Sequence, residues 1–194
     1  MTVIFLDALG EQRAGEGFAA EISYYLGHHL EGSTRERLDD LRDRCAEAMM
    51  AALDLPGLDH ATAREVMLGS LEFLPFDDVE PALSALRDHK LIVVSNWDCS
   101  LADWLEPLGV LEHVDGVVTS AEVGAAKPDV AMFERALALA EVEPAEAVHV
   151  GDSVENDVEG ARAAGIRAIL VARDSSRPPG VEAIRSLADL PALL

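Results

Sequence analysis

The stretch GDSVENDVEGARAAG, residues 151–165, follows the apolar run AVHV and sets two carboxylates, Asp152 and Asp157, where a strand gives way to a helix. A divalent ion such as Mg²⁺ needs a few fixed oxygen ligands, with room left for water and a phosphate oxygen. Asp152 can supply a ligand at such a junction and Asp157 can orient the shell. The same Gly-Asp-Ser turn also serves as an ordinary helix start with Asp152 as its cap. The two readings separate only when the rest of the chain is weighed.

Short β-branched runs alternate with helical patterns along most of the chain, which predicts a mostly parallel sheet with helices on both faces. The strands expected are Thr2–Leu6, Leu91–Val94, Gly116–Thr119, Ala147–Val150 and Arg167–Val171. Apolar positions at helical spacing lie between them: Leu101, Trp104, Leu105 and Leu108, then Val130, Phe133 and Leu137, then Val154, Val158 and Ala161. From about residue 11 to residue 75 the alternation stops, and charged segments such as STRERLDDLRDRCAEAMMAALD carry helical spacing instead. The expected organisation is therefore an α/β core of residues 1–10 and 76–194 with a helical insertion at 11–75. Within the insertion, Ser33 and Glu36 are expected to form a capping box, and Leu38, Leu41, Cys45, Ala48 and Met49 to line a buried face.

Composition narrows the function classes. A chain of 194 residues with 49% apolar content suffices for one well-buried core and a small insertion. No run approaches the roughly 20 apolar residues that span a bilayer, and TVIFL is too short for a signal peptide, so a cytoplasmic protein is expected. Two cysteines, Cys45 and Cys99, suggest reduced thiols, not a disulfide framework or a zinc site. A net charge of -21 repels nucleic-acid phosphates and anionic lipid alike, which argues against both as partners and requires local cations for any anionic substrate. Monomer and homodimer both remain open.

Ligands of such parallel sheets bind beyond the carboxyl ends of the strands. Asp7 closes the first expected strand, Ser95 with Asn96 the second, Lys127 follows the third in GAAKPD, and Asp152 closes the fourth. An aspartate, a hydroxyl, a lysine and a paired acid make a phosphoryl-transfer set: a nucleophile, two phosphate holders and a metal site. Lys127 carries extra weight because Lys90 and Lys127 are the only lysines among fifteen basic side chains. A compact ammonium approaches both a carboxylate nucleophile and a phosphate oxygen, whereas guanidinium imposes its own planar fork. The plain alternative is a solvated surface lysine ahead of Pro128.

These segments resemble the haloacid dehalogenase-like hydrolase superfamily, and most closely its subgroup with a helical cap inserted after the first motif. VIFLDALG is similar to motif one, VVSNWD to motif two, GAAKPDVAMF to motif three and HVGDSVENDVEGARAAG to motif four. The resemblance implies a flavodoxin-like core and a catalytic Asp7 that attacks substrate phosphorus, forming an aspartyl-phosphate that water hydrolyses. It implies that Ser95, Asn96 and Lys127 bind the phosphoryl group. It implies Mg²⁺ held by Asp7, the backbone carbonyl of Leu9 and Asp152, with Asp157 in support, and a small, phosphorylated substrate chosen by the cap.

Two positions depart from that pattern. Phosphatases of the superfamily carry a second Asp two residues after the nucleophile, to protonate the leaving oxygen and then activate water; here it is Leu9. A positioned general acid and base contributes on the order of 10² to 10⁴-fold, so esters with poor leaving groups should suffer most. Glu11 stands where the family usually has Thr. Ionised, it repels a dianionic substrate; kept neutral by Asp7 and Asp152, it can donate a proton in place of the missing acid. Dehalogenases of the superfamily also lack the second Asp, because a halide leaves without a proton. Hydrolysis of a carbon–halogen bond is therefore the main alternative, with Arg13 the nearest candidate for a halide-binding arginine. A fold kept for binding or regulation is the third.

The remaining candidates have simpler explanations. His28 and His29 lie in the insertion, and adjacent helical residues point in different directions, so at most one faces a site. His149, between strand valines, reads as buried packing, while His60, His89 and His113 read as surface residues. Asp98 reads as a helix cap.

Overall fold

The protein is described by a computed structural model over residues 11–54, 57–173 and 177–194, with backbone alone for residues 11–14. The expected strand Thr2–Leu6, and with it Asp7 and Leu9, lies outside the described residues. The chain divides into two compact units, the first ending at Phe73 and the second running from Leu74 to Leu194.

The described residues of the first unit are mainly helical: α1 (Glu11–His28), α2 (Arg35–Leu53) and α3 (His60–Gly69). α1 and α2 lie against each other closely enough that a Cβ on Gly17 would sit 2.7 Å from the Leu53 side chain. Farther along the pair, Arg44 donates to the Tyr24 hydroxyl at 3.3 Å. The residue that caps α2 is Thr34, not Ser33: its extended backbone ends at the helix, and its hydroxyl accepts from Arg37 N–H. That one-residue shift puts Arg37 at the third helical position, where a capping box needs Glu or Gln. Leu38, Leu41, Cys45 and Met49 are buried as expected, joined by Ala46 and Leu53. Ala48 is only half-buried. Ala46 and Ala48 flank the stripe on opposite sides, and the Ala46 side is the covered one. His60 is half-buried, donating to the Asp43 carbonyl at 3.1 Å, where a surface position was expected.

Among the described residues the second unit holds five strands, all parallel: β1 (Ile92–Ser95) with β2 (Gly116–Thr119), and β3 (Val148–Gly151) with β4 (Arg167–Val171) and β5 (Ala183–Ile184) in that order. β2 and β4 have the expected bounds, β1 and β3 begin and end one residue late, and β5 is additional. Around them run α4 (Val79–Ala85), α5 (Leu101–Leu105), α6 (Ser120–Val123), α7 (Val130–Ala140) and α8 (Gly160–Ala163). Both faces of β4 are covered, as parallel strands require. Ala168 and Leu170 join Val118, Met132, Phe133, Val158 and Ala161 in one cluster, while Ile169 packs with Leu86, Ile184 and Leu190 in another. Val130, expected on a buried face, is 37% exposed, because the first residue of α7 lies ahead of the turn that packs on the sheet.

Where a plain α-helix was expected from Val154, the chain makes a wider π-helical turn, Val154–Glu159, before α8. Ser153 opens it, its hydroxyl accepting from Asn156 N–H at 3.1 Å and its carbonyl accepting from both Asp157 and Val158 N–H groups. Val158 and Asp157 are thereby both buried, one in the core and the other at the end of β3.

Candidate active site

Three segments converge at the carboxyl ends of β1, β2 and β3. Ser95 is the last residue of β1 and pairs with Thr119, the last of β2. Asn96 follows and braces the loop that carries Lys127. Its side-chain carbonyl accepts from Lys127 N–H at 2.7 Å, and its amide donates to the Lys127 carbonyl at 3.0 Å. The peptide between Lys127 and Pro128 is cis. With its backbone held at both polar groups, Lys127 extends inward, donating to the Val94 carbonyl at 3.0 Å and to Asp157 Oδ1 at 2.6 Å.

Asp157 is the hub of the site. Oδ1 also accepts from His149 Nε2 at 2.9 Å, and Oδ2 accepts from Ser153 N–H at 2.9 Å. The side chains of Asp157, Lys127 and His149 are 4%, 12% and 13% exposed. Burial pushes the Asp157 carboxyl up, but the hydrogen bonds from His149 and Lys127, the ammonium charge and the Ser153 amide outweigh it. The group is held well below the usual carboxylate range and stays ionised. Gly151 makes room for it: a Cβ there would lie 2.6 Å from the Asp157 Cβ.

Asp152, next after β3, is exposed. Among the described residues no three His, Cys, Asp or Glu side chains are grouped as a metal cluster. Asp152 is left exposed, as is Glu155 in the turn that follows, while both Asp157 oxygens are already engaged. Of the other candidates, Glu11 and Arg13 lie in α1, with only their backbones described. His28 donates Nδ1–H to the Tyr24 carbonyl at 2.8 Å and stacks on the Tyr24 ring, and His29 bonds the Leu26 carbonyl at 3.0 Å. The Asp98 carboxylate accepts from Ser100 N–H at 2.7 Å in the turn ahead of α5, but the N-cap residue is Ser100, so Asp98 is not the helix cap that was expected. The residue that sequence reasoning undervalued is His149. Only its alternation with Gly151 along β3 hinted at the contact, since both side-chain positions face the same way.

A sequence profile of the haloacid dehalogenase-like hydrolases matches residues 6–165. The chain belongs to this family. Among relatives of this haloacid dehalogenase-like hydrolase, the haloacid dehalogenase-like hydrolase domain-containing protein 3 of Bos taurus is 49% identical over 96 residues, 50% of this chain and 38% of that protein. A phosphoserine phosphatase of Thermus thermophilus is 47% identical over 75 residues, 39% of this chain and 30% of its own. The chain spans well under half the length of these relatives. Two crystal structures match along most of both chains. A HAD phosphatase from Thermococcus onnurineus has a TM-score of 0.61 at 27% identity, covering 91% of each chain. A 2-haloacid dehalogenase from Pseudomonas syringae has a TM-score of 0.61 at 26% identity, covering 95% of this chain and 91% of the other. The fold class is α/β, a parallel Rossmann-like core accompanied by a helical unit. No described helix is long and apolar enough to cross a membrane.

Proposed function

We propose that this hydrolase cleaves phosphate esters or anhydrides of small molecules, with Asp7 as nucleophile and Mg²⁺ as cofactor. A carboxylate oxygen of Asp7 attacks phosphorus as the bond to the leaving oxygen breaks. Water then attacks the aspartyl-phosphate, releasing inorganic phosphate and restoring Asp7. The observation that carries the reading is the arrangement of Lys127. Its ammonium is fixed at the carboxyl ends of β1 and β3 by Val94 and Asp157, where a phosphoryl oxygen of an incoming substrate would be met. Ser95, at the end of β1, is the matching hydroxyl, and Asn96 holds the Lys127 loop in place.

The described residues fit Mg²⁺ in one respect and limit it in another. Asp152 is exposed and free to face an ion together with Asp7 and the Leu9 carbonyl, whereas Asp157, with both oxygens engaged, fits as a support behind them. When bound there, the ion would neutralise charge on the transferring phosphoryl group. Residues 11–75 are the proposed cap that selects the substrate.

Leu9 decides which substrates suit the site. With no second carboxyl to protonate the leaving oxygen, acyl and aryl phosphates, whose leaving groups need little protonation, are the preferred class. The same feature favours a second reading, hydrolysis of a 2-haloacid, which the likeness to the Pseudomonas syringae dehalogenase also supports.

One comparison tests both. Hydrolysis of p-nitrophenyl phosphate is measured with and without Mg²⁺, for the protein and its Asp7→Asn variant, beside chloride release from 2-chloropropionate. Turnover of the phosphate that needs both Mg²⁺ and Asp7 is the expected result. Chloride release that needs Asp7 but no metal would replace the phosphatase reading with the dehalogenase one.

A further inference from the structure

We propose that His149 is a positioning residue of this site: its Nε2–H fixes the Asp157 carboxylate, which in turn aims Lys127 at the phosphoryl group. The inference rests on the phosphoryl-transfer reading above and adds to it a residue outside the strand-end set.

The argument begins with the pleat of β3. Side chains alternate between faces, so Val148 and Val150 point one way and His149 and Gly151 the other. Val148 and Val150 pack against the cluster of Leu86, Ile169, Ile184 and Leu190. His149 meets Phe133 edge to face, with ring centroids 5.0 Å apart and planes at 85°. On that same face Gly151 leaves a vacancy, and the Asp157 carboxylate occupies it. The strand thus presents a donor and, two residues on, the space for its acceptor.

A leucine would pack on Phe133 as well as an imidazole does, and without a polar group needing a partner. The partner chosen is informative. An ionised carboxylate only accepts, so the proton in this contact lies on His149 Nε2. Oδ1 of Asp157 then receives two donors, the His149 ring at 2.9 Å and the Lys127 ammonium at 2.6 Å, while Oδ2 receives Ser153 N–H. Of the three donors, Lys127 is a flexible chain and Ser153 N–H a single pivot. The ring, clamped by Phe133, is the rigid third point that stops the carboxylate turning about that pivot. Without it the carboxylate and the ammonium can rotate together away from the strand ends.

Two variants test this: His149→Leu, which keeps the packing on Phe133 and loses the donor, and His149→Gln, whose amide reaches about where Nε2 lies. Two readouts are taken. The first is kcat and KM for p-nitrophenyl phosphate. The expected result is a fall in kcat on the order of tenfold in His149→Leu, as for other residues that orient a site from behind, with most of it recovered in His149→Gln and no fall in the thermal midpoint of His149→Leu. The second does not depend on turnover. Lys90 and Lys127 are the only lysines, with side chains 44% and 12% exposed, so lysine-directed acetylation read by mass spectrometry has an internal reference. Labelling of Lys127 relative to Lys90 should rise in His149→Leu and return to the wild-type ratio in His149→Gln. Wild-type kcat and wild-type labelling in His149→Leu would overturn the proposal, as would equal losses in both variants that follow a lowered thermal midpoint. If the wild type has no Asp7-dependent turnover, the phosphatase reading fails, and the labelling ratio still decides whether His149 holds Lys127.

Discussion

Lys127 Nζ lies 2.6 Å from Asp157 Oδ1, and both side chains are nearly withdrawn from solvent, at 12% and 4% exposure. Desolvation of two such charges opposes their attraction, so the pair is weak evidence of net stabilisation, but removing one partner strands the other. Asp157→Ala should lower unfolding stability by about 3 kcal/mol, read from urea denaturation, together with a loss of turnover. An unchanged urea midpoint would mean that Lys127 escapes to solvent when its partner goes.

Gly151 is small because Asp157 stands beside it. A Cβ at this position would come within 2.6 Å of the Asp157 Cβ, and still nearer the carboxyl carbon. Gly151→Ala should cost about 1–3 kcal/mol through overcrowding. It should also raise labelling of Lys127 relative to Lys90, since the carboxylate that holds the ammonium is pushed aside. A variant with lowered stability but an unaltered labelling ratio would show that the strain is absorbed elsewhere.

Asp78 anchors the start of α4 to the far side of the core. Its carboxylate takes both Arg173 guanidinium nitrogens, at 2.7 and 2.9 Å, and also the Ser186 hydroxyl and Leu187 N–H. The Arg173 hydrogen bonds lead in holding the group well below the usual carboxylate range, against the opposing effect of burial. A depressed folded-state pKa contributes stability that is fully present above the unfolded value of about 3.9 and lost as pH falls below it toward the folded value. The gap in unfolding free energy between the wild type and Asp78→Asn should therefore be wide at neutral pH and shrink progressively as pH falls below about 4, closing only toward the folded-state value. A gap of constant width would separate this contact from the acid response.

Under the proposed phosphatase reading, a carboxyl in place of Leu9 should change substrate preference. Leu9→Asp is expected to raise kcat/KM for an alkyl phosphate by about 10²-fold or more, and for p-nitrophenyl phosphate far less, because only the poor leaving group needs the proton. Equal gains on both substrates would indicate that leaving-group protonation is not what Leu9 withholds.

Much of this was legible along the chain. β2 and β4 occupy the segments read from β-branched runs, and β1 and β3 differ by one residue. Those runs carry their signal in neighbouring residues, through backbone preference and period. β5 has two residues and no period to read. Thr34 in place of Ser33 as a cap, and Ala46 in place of Ala48 in the buried stripe, turn on single-residue choices that pattern leaves degenerate.

The candidate site divides along the same line. Strand ends pointed to Ser95, Lys127 and Asp152, since a carboxyl end of a parallel strand is a position along the chain. That Asp157 is the buried hub, Asp152 an exposed carboxylate, and His149 a hydrogen-bond donor as well as a packing residue depends on contacts across the fold. Lys127 meets Asp157 across 30 residues of sequence, and His149 meets it across 8. Those meetings are set by how the π-turn after β3 rotates Asp157 inward and by how α7 places Phe133 against the His149 ring. Side-chain direction at a packed junction depends on what fills the space beside it, and only the folded chain supplies that neighbour.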